Sequence, residues 1–508
     1  MQKRPALQMF SGMGRIFMAA LLLLALTGKA SAASAGRIYC QGTELMADGT
    51  RIYLNGANTP WHFWNEFGAT GGGAYSHSFW SQEFSSMKAK GINSTRIWIS
   101  CDGTVQPAID ATGTVTGVTA PFWSDVDDLM TIAQANQIYV MATMMSFDHC
   151  DAAKGNHLRW RAMLSSATKV DAMINNYVLP FVMRYQDNPY LYAIDLCNEI
   201  EAIEASNDAI NKRYGEIPLT QLQRYIARSA AAIHNSGSAV LVTVGSTSAK
   251  WNSPVYDGNW WSDSALQAQH MDAKAVLDFY QIHYYYWMEP WFPLRQSAAQ
   301  LQLADRPLVM GEMPGKPTNG PDRLLPVGET IALLSEFFFA NGFSGHYPWS
   351  SNGVDYNGSL TDFGTAALAF QQKYPTVVRF PGSGTAQTIT FPTIAPQNWL
   401  GSPLTVTMGA TASSGLTVAY TVTSGPATVS GTTLTITGSG TVVVAANQAG
   451  NSTYSTASQV SKTVVVTDGQ SSSASSTSSS GSGSCGMGGM FAMLAFIMFG
   501  LFQRSRQR

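Results

Sequence analysis

Charge is scarce in this chain. Of 508 residues only 30 are Lys or Arg and 32 are Asp or Glu, 12% in all and about half the share usual in globular proteins. The formal net charge is -2, and no Lys/Arg-rich stripe runs through the body of the sequence. A phosphate backbone finds no matching field here, so nucleic acid is excluded as a partner. Cysteine is sparse as well, at five residues. No Cys/His group has metal-ligand spacing, so no structural zinc is expected. Aromatic residues, by contrast, are plentiful, with 13 Trp and 20 Tyr. Some belong to a core, but the surplus suits a neutral ligand with flat apolar faces. The length exceeds what one hydrophobic core supports, so more than one module is expected.

The N-terminus carries an address. Lys3, Arg4 and Arg15 precede an apolar run over 16–27, and Ala30-Ser31-Ala32 offers a small-residue cleavage site. This three-part pattern reads as a secretory signal peptide over 1–32, with an apolar stretch too short for a permanent anchor. Export puts the cysteines in an oxidising compartment. Cys101 and Cys150 each follow an expected strand, so a disulfide between neighbouring loops is expected; Cys197 lies inside a strand and reads as a buried thiol, and Cys40 is left open.

From 37 to 380, short β-rich runs alternate with helical patterns. The runs are 51–58, 92–100, 138–147, 191–199, 239–246, 278–286, 306–313 and 342–349. Amphipathic stretches such as 124–136 and 220–237 lie between them, each opening near a Ser, Thr or Asp suited to capping. Further helices are expected around 328–341 and 361–373. Apolar strands alternating with helices indicate parallel βαβ units. Eight such units fit an α/β fold of the (β/α)8 TIM-barrel class better than an open sheet.

Beyond Pro381 the texture changes. Residues 385–468 hold almost no charge and are rich in Thr, Val, Ser and Gly in short alternating runs, the pattern of a small antiparallel β-sandwich. Residues 469–484 read as a serine-rich flexible linker. Residues 485–508 combine Cys485, several glycines, an apolar run over 490–502 and the basic end Arg504-Ser505-Arg506-Gln507-Arg508.

In a TIM barrel, chemistry gathers at the C-terminal strand ends. The polar residues there are Arg96 on the second strand, His149 after the third, Asn198 and Glu199 ending the fourth, His283 and Tyr285 on the sixth, Glu312 on the seventh and Trp349 on the eighth. Glu199 and Glu312 then face each other across the mouth, as a retaining glycosidase requires: one carboxyl attacks the anomeric carbon while the other protonates the leaving oxygen. Arg96 and Tyr285 are placed to hold Glu312 ionised, Asn198 to donate to a sugar 2-hydroxyl, and Trp349 to lie under the ring being cleaved. Taken alone, each glutamate is more ordinarily a surface residue; all eight positions falling in order on the right strands is what carries the reading. Of Trp61, Trp64, Trp98, Trp251, Trp260, Trp261, Trp287 and Trp291, no more than half are expected to touch substrate.

This set resembles glycoside hydrolase family 5, of the cellulase and mannanase clan, across about two-thirds of the chain. The resemblance implies retention of configuration, no metal or other cofactor, Glu199 as acid/base, Glu312 as nucleophile, and Arg96, His149, Asn198, His283, Tyr285 and Trp349 as support. The implied substrate is a neutral β-1,4-linked polysaccharide, mannan or glucan, cut internally. The sequence supplies no physical discriminator between the two; the loop after the first strand tilts the reading slightly to mannan. Two positions depart from the family pattern: Ile200 stands where many members have Pro, and Cys150 follows His149 in place of Gly. Residues 385–468 resemble bacterial Ig-like repeats. Residues 485–508 resemble the glycine-motif sorting tags of Gram-negative bacteria, which imply cell-surface delivery, membrane contact through that segment alone, and removal by a sorting protease; a plain anchor is the alternative. The functional alternatives are an exo-acting or transglycosylating relative, and a non-catalytic carbohydrate-binding surface protein.

Overall fold

The computed structural model describes residues 36–205, 214–318, 323–380 and 387–469, the last stretch without 449, 451–453, 455 and 456. The expected signal peptide, the linker apart from Gly469, and the C-terminal tag lie outside the described residues. Among the described residues no helix is long and apolar enough to cross a membrane.

Eight strands close into a barrel: β1 (Leu54–Asn58), β2 (Ser94–Trp98), β3 (Tyr139–Thr143), β4 (Leu191–Asn198), β5 (Leu241–Ser246), β6 (Tyr280–His283), β7 (Leu308–Pro314) and β8 (Gly345–Trp349). Each pairs in parallel with the next, and β8 pairs with β1. Every residue in these strands is buried, which is why they read as continuous apolar runs. Outer-face residues such as Ile97, Val140, Leu196 and Ile282 join the core shared with the helices.

The inner face is filled from one end. Tyr139, Met141, Tyr192 and Tyr347 pack together, and a hairpin formed by Ile38–Gln41 and Glu44–Ala47 adds Ile38, Leu45 and Ala47 to the same cluster. The Tyr192 and Tyr347 hydroxyls lie 2.8 Å apart, so the plug is internally bonded. The N-terminal end of the barrel is thereby stopped, leaving the opposite end for chemistry. Gly56 on β1 makes room for this plug, since a Cβ there would run into the Tyr347 ring.

Among the described residues the α-helices are α1 (His77–Ala89), α2 (Ala120–Asn136), α3 (His157–Leu164), α4 (Ala167–Met173), α5 (Leu179–Tyr185), α6 (Leu219–Asn235), α7 (Asp263–Gln269), α8 (Ile331–Ala340) and α9 (Leu360–Lys373). Three sequence expectations change here. The sixth crossover, residues 284–307, carries a 3-10 turn at Tyr286–Met288 and no α-helix; Pro290 and Pro293 fall where a helix would have to continue. Side-chain caps close α1, α7 and α8 through Ser76, Ser262 and Thr330, but α2 and α6 have none. Proline takes that place at both: Pro121 lies in the first turn of α2 and Pro218 directly precedes α6, where a missing N–H costs nothing. Finally, the expected Cys101–Cys150 disulfide is not formed, for Cys40, Cys101, Cys150 and Cys197 are all free thiols. Cys101 packs beside Trp98 and Trp349, whereas Cys150 packs into the helix-facing core, so the two side chains belong to different clusters. Cys197 is buried, as its place in a strand indicated.

Residues 387–469 form an all-β region. A four-stranded and a three-stranded sheet enclose Leu434, Ile436, Val442, Val444, Val464 and Val466. Pairing is antiparallel except at one edge, where Gln397–Trp399 runs parallel to Val460–Asp468.

Replacing Gly56 by Ala is expected to destabilise the barrel by about 1–3 kcal/mol through overpacking against Tyr347. Chemical denaturation of the purified variant checks this, and an unchanged midpoint would contradict the plugged-end packing.

Candidate active site

Arg96 organises the open end of the barrel. Alternation along β2 turns it inward, where it is fully buried. Its Nε and Nη2 donate to Asp195 Oδ2 at 3.0 and 2.6 Å, Nη1 donates to Glu312 Oε1 at 2.7 Å, and Nη2 donates to Asn198 Oδ1 at 2.9 Å. The guanidinium also stacks over Trp98, 4.2 Å from the ring centroid. Asp195 accepts in addition from Thr143 Oγ1 and from the Gly245 amide. Gly245 is required at its place on β5, because a Cβ would come within 2.6 Å of Arg96 Nη2.

The two glutamates meet across the barrel mouth. Tyr285 donates its hydroxyl to Glu312 Oε2 at 2.8 Å. His283 Nδ1 lies 2.8 Å from Glu199 Oε1 and 3.6 Å from Glu312 Oε1. One oxygen of Glu199, one of Glu312 and a His283 nitrogen all lie within 4.8 Å of one another. Retaining glycosidases hold their carboxyl groups about 5–5.5 Å apart, and inverting ones about 6.5–9.5 Å. The pair falls on the retaining side. These donor atoms are also close enough to grip a cation, but Arg96 already donates to Glu312 and would repel one. The set therefore suits proton and glycosyl transfer better than metal binding.

Burial pushes both carboxyls up. For Glu312 the Glu199 charge adds to the push and Arg96, which also donates to it, opposes it; for Glu199 only the charge of Arg96 opposes burial, and the group reaches about 7. The shared proton therefore sits on Glu199. Burial lowers His283 to about 4, so the imidazole beside Glu199 is neutral. The backbone of Glu199 is left-handed, with φ 50°, a conformation uncommon outside Gly. It is held by the Glu199 amide donating to Gly245 O at 2.6 Å and by Glu199 O accepting from the Ala202 amide at 3.0 Å. A proline at position 200 would bias residue 199 to extended backbone; Ile200 leaves the turn free to form.

Seven of the eight expected site residues converge here. The exception is His149. It is fully buried, with Nε2 3.0 Å from Ser100 Oγ, Nδ1 3.0 Å from Ser146 O, and its ring edge-on to Trp160. The 3-10 turn Phe147–Cys150 puts it behind the wall and presents Phe147 and Asp148 to the cleft. Asn198 turns its oxygen to Arg96, leaving its amide N–H groups for a ligand. The cleft, of roughly 330 Å³, is also lined by Trp349, Trp61, Trp64 and Trp98. Trp251 and Trp260 pack on each other, Trp261 is buried against Glu201, and Trp287 and Trp291 stand exposed on the loop after β6. Asp148 and Asp355 in the cleft wall escaped notice in the sequence. No local pattern marks them. Asp195 had a signal: an arginine inside an apolar strand needs a buried counter-charge.

The model of the family "Cellulase (glycosyl hydrolase family 5)" matches residues 46–350. A "Mannan endo-1,4-beta-mannosidase" of Mytilus edulis is 26% identical over 354 residues, spanning 65% of this chain and 92% of that protein. One of the same name from Cryptopygus antarcticus is 24% identical over 331 residues, spanning 61% of this chain and 83% of that protein. Among solved structures, the β-mannanase of Mytilus edulis superposes with a TM-score of 0.58 at 24% identity, covering 69% of this chain and 100% of that one. The endo-1,4-β-mannanase of Eisenia fetida does so with a TM-score of 0.56 at 25% identity, covering 66% and 94%.

The position of the shared proton sets a pH dependence. Because Glu199 must carry its proton to act as an acid, kcat/KM is expected to fall as pH rises through about 7. A rate profile that stays flat well above that pH would contradict the assignment.

Proposed function

The chain belongs to glycosyl hydrolase family 5, and from that premise we propose that it is an exported, endo-acting hydrolase of β-1,4-linked mannan. The observation that carries the mechanism is the approach of the Glu199 and Glu312 carboxyl groups, with oxygens inside 4.8 Å.

In the first step a Glu312 oxygen attacks the anomeric carbon as the glycosidic C–O bond breaks, and the leaving oxygen takes the proton of Glu199. Arg96 and Tyr285, each bonded to a different oxygen of Glu312, aim the attacking lone pair and stabilise its charge before reaction. Once Glu312 is esterified its negative charge is gone, so Glu199 loses the proton more readily. In the second step Glu199 takes a proton from water, whose oxygen attacks the anomeric carbon and releases Glu312. Two inversions give net retention. Asn198 is placed to donate to the sugar 2-hydroxyl, and Trp349 to underlie the reacting ring.

A neutral substrate agrees with the cleft, whose lining carries the carboxyl groups of Asp148, Asp355, Glu199 and Glu312 and, among the described residues, no Lys or Arg. A uronic-acid polymer would meet like charge. Mannan is favoured over glucan by the names of the related proteins. An open cleft on the barrel mouth suits internal cutting over removal of terminal sugars. The region 387–469 reads as an Ig-like spacer. The terminal segments support export and display at a Gram-negative cell surface, with a sorting protease removing residues 485–508.

Wild-type protein is expected to release reducing ends from β-mannan. Glu312→Ala should lower kcat by at least about 10⁴-fold, and Glu199→Ala by about 10²–10⁴-fold. Wild-type inactivity on both mannan and β-glucan, with the chain folded, would instead favour a sugar-binding surface protein.

A further inference from the structure

Asp102 has no part in the steps above, yet it gathers more donors than any catalytic carboxyl. Its carboxylate is nearly inaccessible, just beyond β2. Trp64 Nε1 donates to Oδ2 at 2.6 Å, and Asn65 Nδ2 donates to Oδ1 at 2.5 Å, both from the loop after β1. Thr104 adds its hydroxyl at 2.7 Å and its amide at 3.0 Å. Lys154, from the loop after β3, completes the set with Nζ 3.1 Å from Oδ2. The same Nζ sits over the Trp64 ring, 4.7 Å from its centroid. Burial pushes the Asp102 carboxyl up, but these hydrogen bonds bring it down to about 2, so it stays ionised throughout the working range. One carboxylate thus ties three separate βα loops together.

What the tie holds is one aromatic ring. Trp64 is a third exposed and lines the cleft. It meets Trp61 at 4.6 Å between centroids, and Trp61 meets Trp349 at 6.0 Å. A line of indoles therefore leads from the reacting centre out over the β8–β1 side. Glu199, which protonates the leaving sugar, stands across the cleft on β4, so this line belongs to the glycone side. We propose that Trp64 is a stacking platform for a neutral pyranose two rings beyond the one being cleaved, and that Asp102 is a positioning residue that makes the enzyme favour long chains over short ones. This rests on the hydrolase reading above. An indole turning freely in a loop would have to be ordered at each binding event; the bond to Asp102 orders it beforehand.

The test uses the full-length protein with β-1,4-mannotriose and β-1,4-mannohexaose. Trp64→Ala is expected to lower kcat/KM on the hexaose about tenfold, mostly through KM, and to change the triose little. Asp102→Asn should reproduce that selective loss without moving the pH profile, and adding it to Trp64→Ala should cost nothing further. Trp64→Phe, which keeps a ring but cannot reach Asp102, supplies the check should Asp102→Asn fail to fold; a partial loss on the hexaose alone is expected. Equal losses on both lengths, additive losses, or an unaffected Trp64→Ala would overturn the proposal. Wild-type failure on both oligosaccharides would instead bring down the hydrolase reading beneath it.

Discussion

The structure depends on one buried cation. Arg96 is fully enclosed, and two carboxylates, Asp195 and Glu312, share its charge. Breaking such a pair from one side costs about 3–5 kcal/mol, because the remaining charge is stranded away from water. A lysine would be a poor substitute: the planar fork reaches Asp195, Glu312 and Asn198 from three nitrogens at once, which a single ammonium on a flexible stem cannot do. The surroundings are shaped to admit it, with Gly245 cleared of side chain and Trp98 laid against the guanidinium face.

That cation also divides labour between the glutamates. Both sit in the same low-dielectric pocket, and burial alone would favour a proton on each. Glu312 has Arg96 on one oxygen and Tyr285 on the other, whereas Glu199 has only a neutral imidazole. Two identical side chains thus acquire opposite roles from their partners. The left-handed turn at Glu199 and the plug of tyrosines at the far end of the barrel serve the same end: they fix where the carboxyl points and which end stays open.

The barrel was legible because each strand, buried on both faces, appears as an unbroken apolar run, and the catalytic candidates because strand ends are visible from such runs. What local reading missed turns on direction within a turn. His149 and Asp148 are adjacent, and only the 3-10 geometry after β3 decides that the acid faces the cleft and the histidine the core. Cys101 and Cys150 follow neighbouring strands, yet pack in different clusters. Asp195 reads as one more strand residue until Arg96 is seen to bond to it, and the helix expected after β6 is interrupted by Pro290 and Pro293.

The central claim, that Glu312 forms a covalent bond to the sugar while Glu199 manages the proton, is tested most directly by trapping the intermediate. In a 2-deoxy-2-fluoro mannoside the fluorine slows both steps, and a reactive leaving group restores only the first, so the glycosyl-enzyme accumulates. Intact mass spectrometry should then show one added sugar, and peptide mapping should place it on Glu312. An adduct on a different residue, or no adduct together with a product of inverted anomeric configuration, would contradict the account.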